Sequence, residues 1–131
     1  MSRRTMPAAP CARMVMWMRS TDVLDTELLA QLEVDLGDGE TVRMLIATYL
    51  GELDMRRQAI VDALATGDLS QVAYAAHALV SPSRTLGVVS LAGPARAIEV
   101  MAKNGRLDGA DAELARLDAA MPRAIGALTG W

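Results

Sequence analysis

From residue 22 onward, apolar residues recur every three or four positions, and this spacing limits the possible folds more than any other feature of the chain. Val, Ile and Thr never alternate with polar residues long enough to indicate a β-strand. The pattern predicts helices over about 25–34, 40–65, 68–81 and 89–103, and another from 108 onward. Because short connections make consecutive helices antiparallel neighbours, we expect an all-α fold, an up-down-up-down four-helix bundle with a short leading helix.

Three prolines fall inside this helical pattern. Pro82, Pro94 and Pro122 each lack a backbone N–H, and an interior proline costs a helix about 3 kcal/mol. Pro94 is close enough to a helix start to be tolerated in a first turn. Pro82 is expected to bend or end the third helix.

The counts of histidine and cysteine exclude several kinds of site. The 131 residues are enough for one domain, and they include one Cys, one His, two Trp, two Tyr and no Phe. These numbers exclude a disulfide framework, a Cys/His zinc site and a Ser-His-Asp triad with a histidine to spare. Any histidine chemistry must therefore use His77.

The first 21 residues differ in charge from the rest. They carry four arginines and no acidic residue, although the whole chain has a net charge of −3, which gives no case for nucleic-acid binding. Their apolar run, Met14–Met18, is too short for an export signal or a membrane span. We interpret 1–21 as a flexible basic leader or an over-extended start, with an added amphipathic helix docking through Trp17 as the alternative. Residues 22–131 are then the helical bundle, and we expect a cytoplasmic protein that does not bind membranes.

His77 lies at the edge of the apolar stripe of its predicted helix. Stepping 100° per residue places it about 100° from Ala76, the middle of the core face. Its neighbours on the outer side, Ser70 and Ser81, are small, so a large partner can approach the imidazole closely. By position alone, such a histidine is a solvated residue at the edge of the core.

The string around this histidine is more informative than its position. Residues 75–87 read Ala-Ala-His-Ala-Leu-Val-Ser-Pro-Ser-Arg-Thr-Leu-Gly, which resembles the signature of histidine-containing phosphotransfer (HPt) domains. The resemblance extends over most of 22–128. It includes the Asp35-Leu-Gly turn, the Gly67-Asp68 corner before the histidine helix, and the later Ile98-Glu99.

The resemblance implies a monomeric helical bundle that carries a phosphoryl group on His77 between response-regulator receiver domains. It places Glu99, twenty-two residues further on, as the acceptor that holds Nδ1–H and leaves Nε2 as the nucleophile. Glu99 could otherwise be an ordinary solvated helix residue. The resemblance also implies no cofactor or metal in this chain, with Mg²⁺ on the partner receiver domain. Ser70, Ala73 and Ser81 are the predicted receiver-docking surface.

The chain departs from the signature directly after the histidine. The family has lysine, glycine and serine at the positions of Val80, Ser81 and Pro82. Arg84, seven residues after His77 and about 20° from the same helical line, is a candidate phosphate-stabilising residue unless Pro82 ends the helix first. The only lysine, Lys103, is not the residue three after His77, so we expect any cation that helps there to be an arginine.

Three functions remain open from the sequence. The first is phosphorelay through His77, with phosphate from a receiver domain or a hybrid sensor histidine kinase and without an ATP site. The second is a module that binds a receiver domain or kinase without transferring phosphate, which Val80 and Pro82 favour. The third is a structural bundle that assembles with copies of itself.

Overall fold

Five α-helices make up most of residues 23–131, the part of the chain that this computed structural model describes. They are α1 (Thr26–Leu36), α2 (Gly39–Thr66), α3 (Leu69–Thr85), α4 (Val89–Lys103) and α5 (Ala110–Thr129). These residues contain no β-strand, so the all-α prediction is confirmed. The predicted leader, 1–21, lies outside the described residues.

Aspartates cap the N-termini of the first three helices. Asp25, Asp38 and Asp68 each accept a hydrogen bond from a backbone N–H in the first turn, which satisfies a donor that has no partner within the helix. Gly37 and Gly67 end α1 and α2 in the left-handed region, where a side chain would be strained. These signals set helix boundaries close to the predicted ones.

The helices pack in chain order. Each helix contacts the next one in the chain, and α5 also contacts α2. The core between them is aliphatic, as the scarcity of aromatic residues requires. Its largest fully buried apolar side chains are Leu29, Leu53, Ile60, Leu79, Leu91, Ile98, Leu117 and Leu128.

The third helix does not end at Pro82, and our expected boundary at residue 81 is wrong. The helix continues through Pro82 to Thr85. Two contacts with α2 compensate at this point: Arg56 donates to the carbonyl of Ala78 at 3.0 Å, and the Tyr49 and Ser83 hydroxyls lie 2.7 Å apart. Packing against α2 thus maintains a helix that the local sequence disfavours.

Gly87 brings the start of α1 against the turn between α3 and α4. Its φ of 70° is in the left-handed region, and its carbonyl accepts a 2.7 Å hydrogen bond from the Asp25 amide. A Cβ at this position would lie 3.0 Å from the Asp25 carbonyl oxygen, so the close approach requires glycine.

Within residues 23–131, none of the helices combines the length and the apolar character that crossing a membrane requires.

Candidate functional site

His77 lies in the middle of α3 and faces outward. The side chains of Val72, Ala76, Leu79 and Val80, which line the core-facing side of α3, are buried. The His77 side chain is 62% exposed, more than an edge position alone suggested. The only histidine is therefore accessible to a partner.

Glu99 holds this histidine from the neighbouring helix. It lies on α4, where its carboxylate oxygen Oε2 is 2.9 Å from His77 Nδ1. The sequence left open an ordinary solvated helix residue, but the Glu99 side chain is only 1% exposed. A buried carboxylate needs partners, because an unpaired charge away from water is very costly.

Two cations complete the surroundings of Glu99. Arg96 Nη1 lies 3.1 Å from Oε1, and Lys103 Nζ lies 3.0 Å from Oε2, the oxygen that also contacts His77. Because Lys103 Nζ and His77 Nδ1 both contact Oε2, the distance between them cannot exceed the sum of the 3.0 Å and 2.9 Å contacts. The expectation that only an arginine could lie beside His77 is wrong, since α4 brings the lysine there.

Sequence reasoning missed this cluster, although a signal was present. Arg96, Glu99 and Lys103 are spaced by three and four residues, which puts them on one face of a helix. The spacing does not reveal that the same face turns toward His77, because that depends on how α4 is rotated against α3.

The charges around Glu99 keep it ionised. Burial alone would raise its pKa, but hydrogen bonds from Lys103, Arg96 and His77 together outweigh burial and hold the pKa of Glu99 below its ordinary value. An ionised carboxylate can only accept a hydrogen bond. His77 Nδ1 must therefore donate, and in the neutral ring the lone pair is on Nε2.

The residues that depart from the family signature lie in different surroundings. Val80 is 1% exposed and belongs to the core, whereas Ser81 is exposed. Arg84 is exposed in the last turn of α3, two turns or about 10 Å along the helix from His77. It shares an open groove of about 500 Å³ with Arg96. Among residues 23–131, no hydrogen bond or ion pair occupies the Arg84 side chain.

The three predicted docking residues follow the line of His77 along α3. Ser70 and Ser81 are exposed, and Ala73 is half-buried. None of them has a side chain large enough to screen the imidazole, so the structure leaves this side of α3 open around the histidine.

Charge is unevenly distributed between this surface and the rest of the described chain. Residues 69–103 contain three basic residues and a single acidic one, the buried Glu99, for a net charge of +2. The remainder of 23–131 contains six basic and fourteen acidic residues, for a net charge of −8. The helices that carry His77 and its partners thus form a positive region on an acidic molecule.

Residues 23–131 contain no group of three or more His, Cys, Asp or Glu side chains that could hold a metal ion.

Comparisons with known proteins identify a matching family and a similar fold. The family model for the Hpt domain matches residues 44–127, which include His77, Glu99 and Lys103. Histidine-containing phosphotransfer protein B from Pseudomonas aeruginosa PAO1 has a similar crystal structure, with a TM-score of 0.74 and 24% identity over 82% of this chain and 91% of that one. No curated protein sequence matches.

The chain belongs to the Hpt domain family. Hpt domains are phosphocarrier modules of phosphorelays rather than turnover enzymes, and they interact with receiver domains and kinases.

Proposed function

We propose that this protein carries a phosphoryl group on Nε2 of His77 in a phosphorelay. His77 Nε2 attacks the phosphorus of an aspartyl phosphate on a receiver domain, the bond from the aspartate oxygen to phosphorus breaks, and the carboxylate leaves. Attack by a second receiver aspartate reverses the step. A hybrid sensor histidine kinase is the expected ultimate source of the phosphoryl group.

The contact between His77 Nδ1 and the buried Glu99 carboxylate is the observation that supports this function most strongly. It fixes the tautomer that leaves the lone pair on Nε2, and it holds a ring that is otherwise 62% exposed. Phosphoryl transfer depends mainly on positioning and electrostatic stabilisation, and a fixed imidazole supplies the first of these.

In this proposal, the cations on α4 supply the electrostatic stabilisation. Lys103 and Arg96 donate to Glu99, and Lys103 shares the carboxylate oxygen that contacts His77. In this proposal they take the phosphate-stabilising role that the family gives to a lysine three residues after the histidine. Lysine has three donors, so in this proposal Lys103 keeps one on Glu99 and offers another to a phosphoryl oxygen. Arg84 is the weaker candidate for stabilising the phosphoryl group, because its distance from His77 suits contact with the partner better.

The remaining parts of the proposal concern partners and assembly. We infer that the protein is a cytoplasmic monomer whose four longer helices run up-down-up-down, and that receiver domains dock over Ser70, Ala73 and Ser81. Mg²⁺ and the aspartate would come from the receiver domain. The short connections and the chain-order packing of the helices support the arrangement.

Transfer of label from a kinase tests the function. We would incubate the wild-type protein and His77→Gln with candidate hybrid kinases and radiolabelled ATP, and locate acid-labile phosphate by mass spectrometry. We expect label on His77 in the wild type and none in the variant, with unchanged circular dichroism. Equal labelling of His77→Gln would contradict the proposal.

A second candidate function is receiver binding without transfer, because Val80 is buried where the family has a phosphate-facing lysine. It predicts that no phosphohistidine forms with any donor, and that His77→Ala binds a receiver domain as tightly as the wild type. Detection of phosphohistidine would exclude it.

A further inference from the structure

Pro82 leaves a gap in the hydrogen bonding of α3 next to His77. In an α-helix the N–H of residue 82 would donate to the carbonyl of Ala78, four residues earlier, but proline has no N–H. Ala78 directly follows His77. The gap therefore lies in the turn that carries the proposed nucleophile.

Arg56 fills this gap from α2. Its Nη1 donates to the Ala78 carbonyl at 3.0 Å, while its Nη2 pairs with Glu52, one turn earlier on α2, at 2.6 Å. The Arg56 side chain is largely covered, at 26% exposure, and its buried Nε has no partner among the described residues. An arginine held in this way, with one donor unsatisfied, indicates that the bond to Ala78 matters to the structure.

The turn around His77 is thus fixed from two sides. Glu99 on α4 binds the ring, and Arg56 on α2 binds the backbone one residue later. The bond between Tyr49 and Ser83 ties α3 to α2 a second time, just beyond Pro82.

We propose that Arg56 is a positioning residue for His77, required because Pro82 removes the normal donor to the Ala78 carbonyl. Without Arg56 the turn loses its backbone anchor, and the ring shifts relative to Glu99. The proposal rests on the proposed function of His77, and it makes Arg56 dispensable once residue 82 regains an N–H.

A double-mutant cycle tests this directly. The variants are Arg56→Met, Pro82→Ala and the pair combined, with Arg57→Met as the matched control. Arg57 is the next residue on α2, and it pairs instead with Asp118 on α5 at 2.8 Å. The readouts are the ¹⁵N and ¹H ring signals of the single histidine, and the rate of phosphohistidine formation from phosphoramidate, which releases ammonia as the Nε2–P bond forms.

We expect Arg56→Met to shift the His77 ring signals and to slow phosphorylation on the order of 10- to 100-fold, as small misplacements of a reacting group do. Pro82→Ala alone should resemble the wild type, and adding it to Arg56→Met should restore both readouts. Arg57→Met should leave both unchanged.

Lack of rescue by Pro82→Ala, or an equal effect of Arg57→Met, would overturn the proposal. If Arg56→Met fails to fold, the double variant should still fold with wild-type ring signals, and its failure to do so would also count against the proposal. A wild-type protein that forms no phosphohistidine would instead contradict the proposed function, while the ring signals would still report on Arg56.

Discussion

The pair formed by His77 and Glu99 is the residue-scale basis of the proposed chemistry. A surface imidazole turns freely and exchanges tautomers, whereas one held by a buried carboxylate presents a single nitrogen to a partner. Arg96 and Lys103 reduce the free-energy cost of burying Glu99, because they neutralise a carboxylate that would otherwise be buried without a partner charge.

Replacing Glu99 by glutamine should slow phosphorylation of His77 by about 10- to 100-fold, the usual effect of removing a group that orients a reactive one. Glutamine keeps the shape but loses the charge that fixes the tautomer. The rate of phosphohistidine formation from phosphoramidate measures this effect. Glu113→Gln is the matched control, because Glu113 pairs with Arg116 three residues away at 3.5 Å and not with His77. Equal rates for the two variants would contradict the role of Glu99.

The lowered pKa of Glu99 predicts a pH dependence of stability. Ionised Glu99 is favoured in the folded state, so its contribution is fully present above the ordinary glutamate pKa of about 4.3 and is lost as the pH falls through the lower, folded-state value. The difference in free energy of unfolding between the wild type and Glu99→Gln should therefore shrink between pH 7 and pH 3. Urea denaturation measures it, and a constant difference would contradict the assignment.

At the residue scale, the sequence identified residues that the family signature links, but not contacts that depend on how the helices are rotated. It predicted His77 and Glu99, because the family signature links them. It did not predict that Lys103 reaches the same carboxylate oxygen, since that requires the rotation of α4 against α3. The sequence did not predict the role of Arg56 either, because its partner is a backbone carbonyl on another helix, and no pattern of side chains indicates such a contact.

At the scale of elements, local signals and packing decide different boundaries. Aspartate caps and left-handed glycines set the ends of α1 and α2, and both are visible in the sequence. The end of α3 is set by packing, since its contacts with α2 outweigh the cost of Pro82. Local propensity therefore predicted the first kind of boundary and failed at the second.

Gly87, between α3 and α4, and Gly51, inside α2, have opposite conformational requirements, and alanine at each should change stability in opposite directions. Gly87→Ala should lower the free energy of unfolding by about 1 kcal/mol or more, because φ is 70° and the new Cβ would crowd Asp25. Gly51→Ala should raise it by about 0.5–1 kcal/mol, because Gly51 is an exposed residue inside α2 with open space around it. Chemical denaturation of both variants measures this, and a shift of the same sign in both would contradict the account.

At the scale of the whole molecule, charge separates the proposed docking surface from the rest. The net charge of +2 over residues 69–103, against −8 for the other described residues, favours a partner that presents acidic groups to α3 and α4. A receiver domain that offers an aspartate is such a partner.

Phosphotransfer from a receiver domain should accordingly slow by at least about threefold as salt rises from about 0.05 M to about 0.5 M, because screening weakens the attraction that guides association. Arg84→Gln should reduce this salt dependence, since it removes an exposed charge from the docking side. Arg43→Gln removes a charge that is also exposed, but on α2, and is the matched control. The rate of transfer measured by quenched flow tests this, and a rate independent of salt would contradict it.

The most direct test of the central claim is the state of the His77 ring before and after phosphorylation. Because the chain has one histidine, ¹⁵N-labelled protein gives a single, unambiguous set of ring signals. We expect Nδ1 to carry the proton in the resting protein. After treatment with phosphoramidate, we expect the ³¹P signal of phosphohistidine to show the phosphoryl group bound to Nε2. A phosphoryl group on Nδ1, or a ring that remains unmodified, would contradict the account.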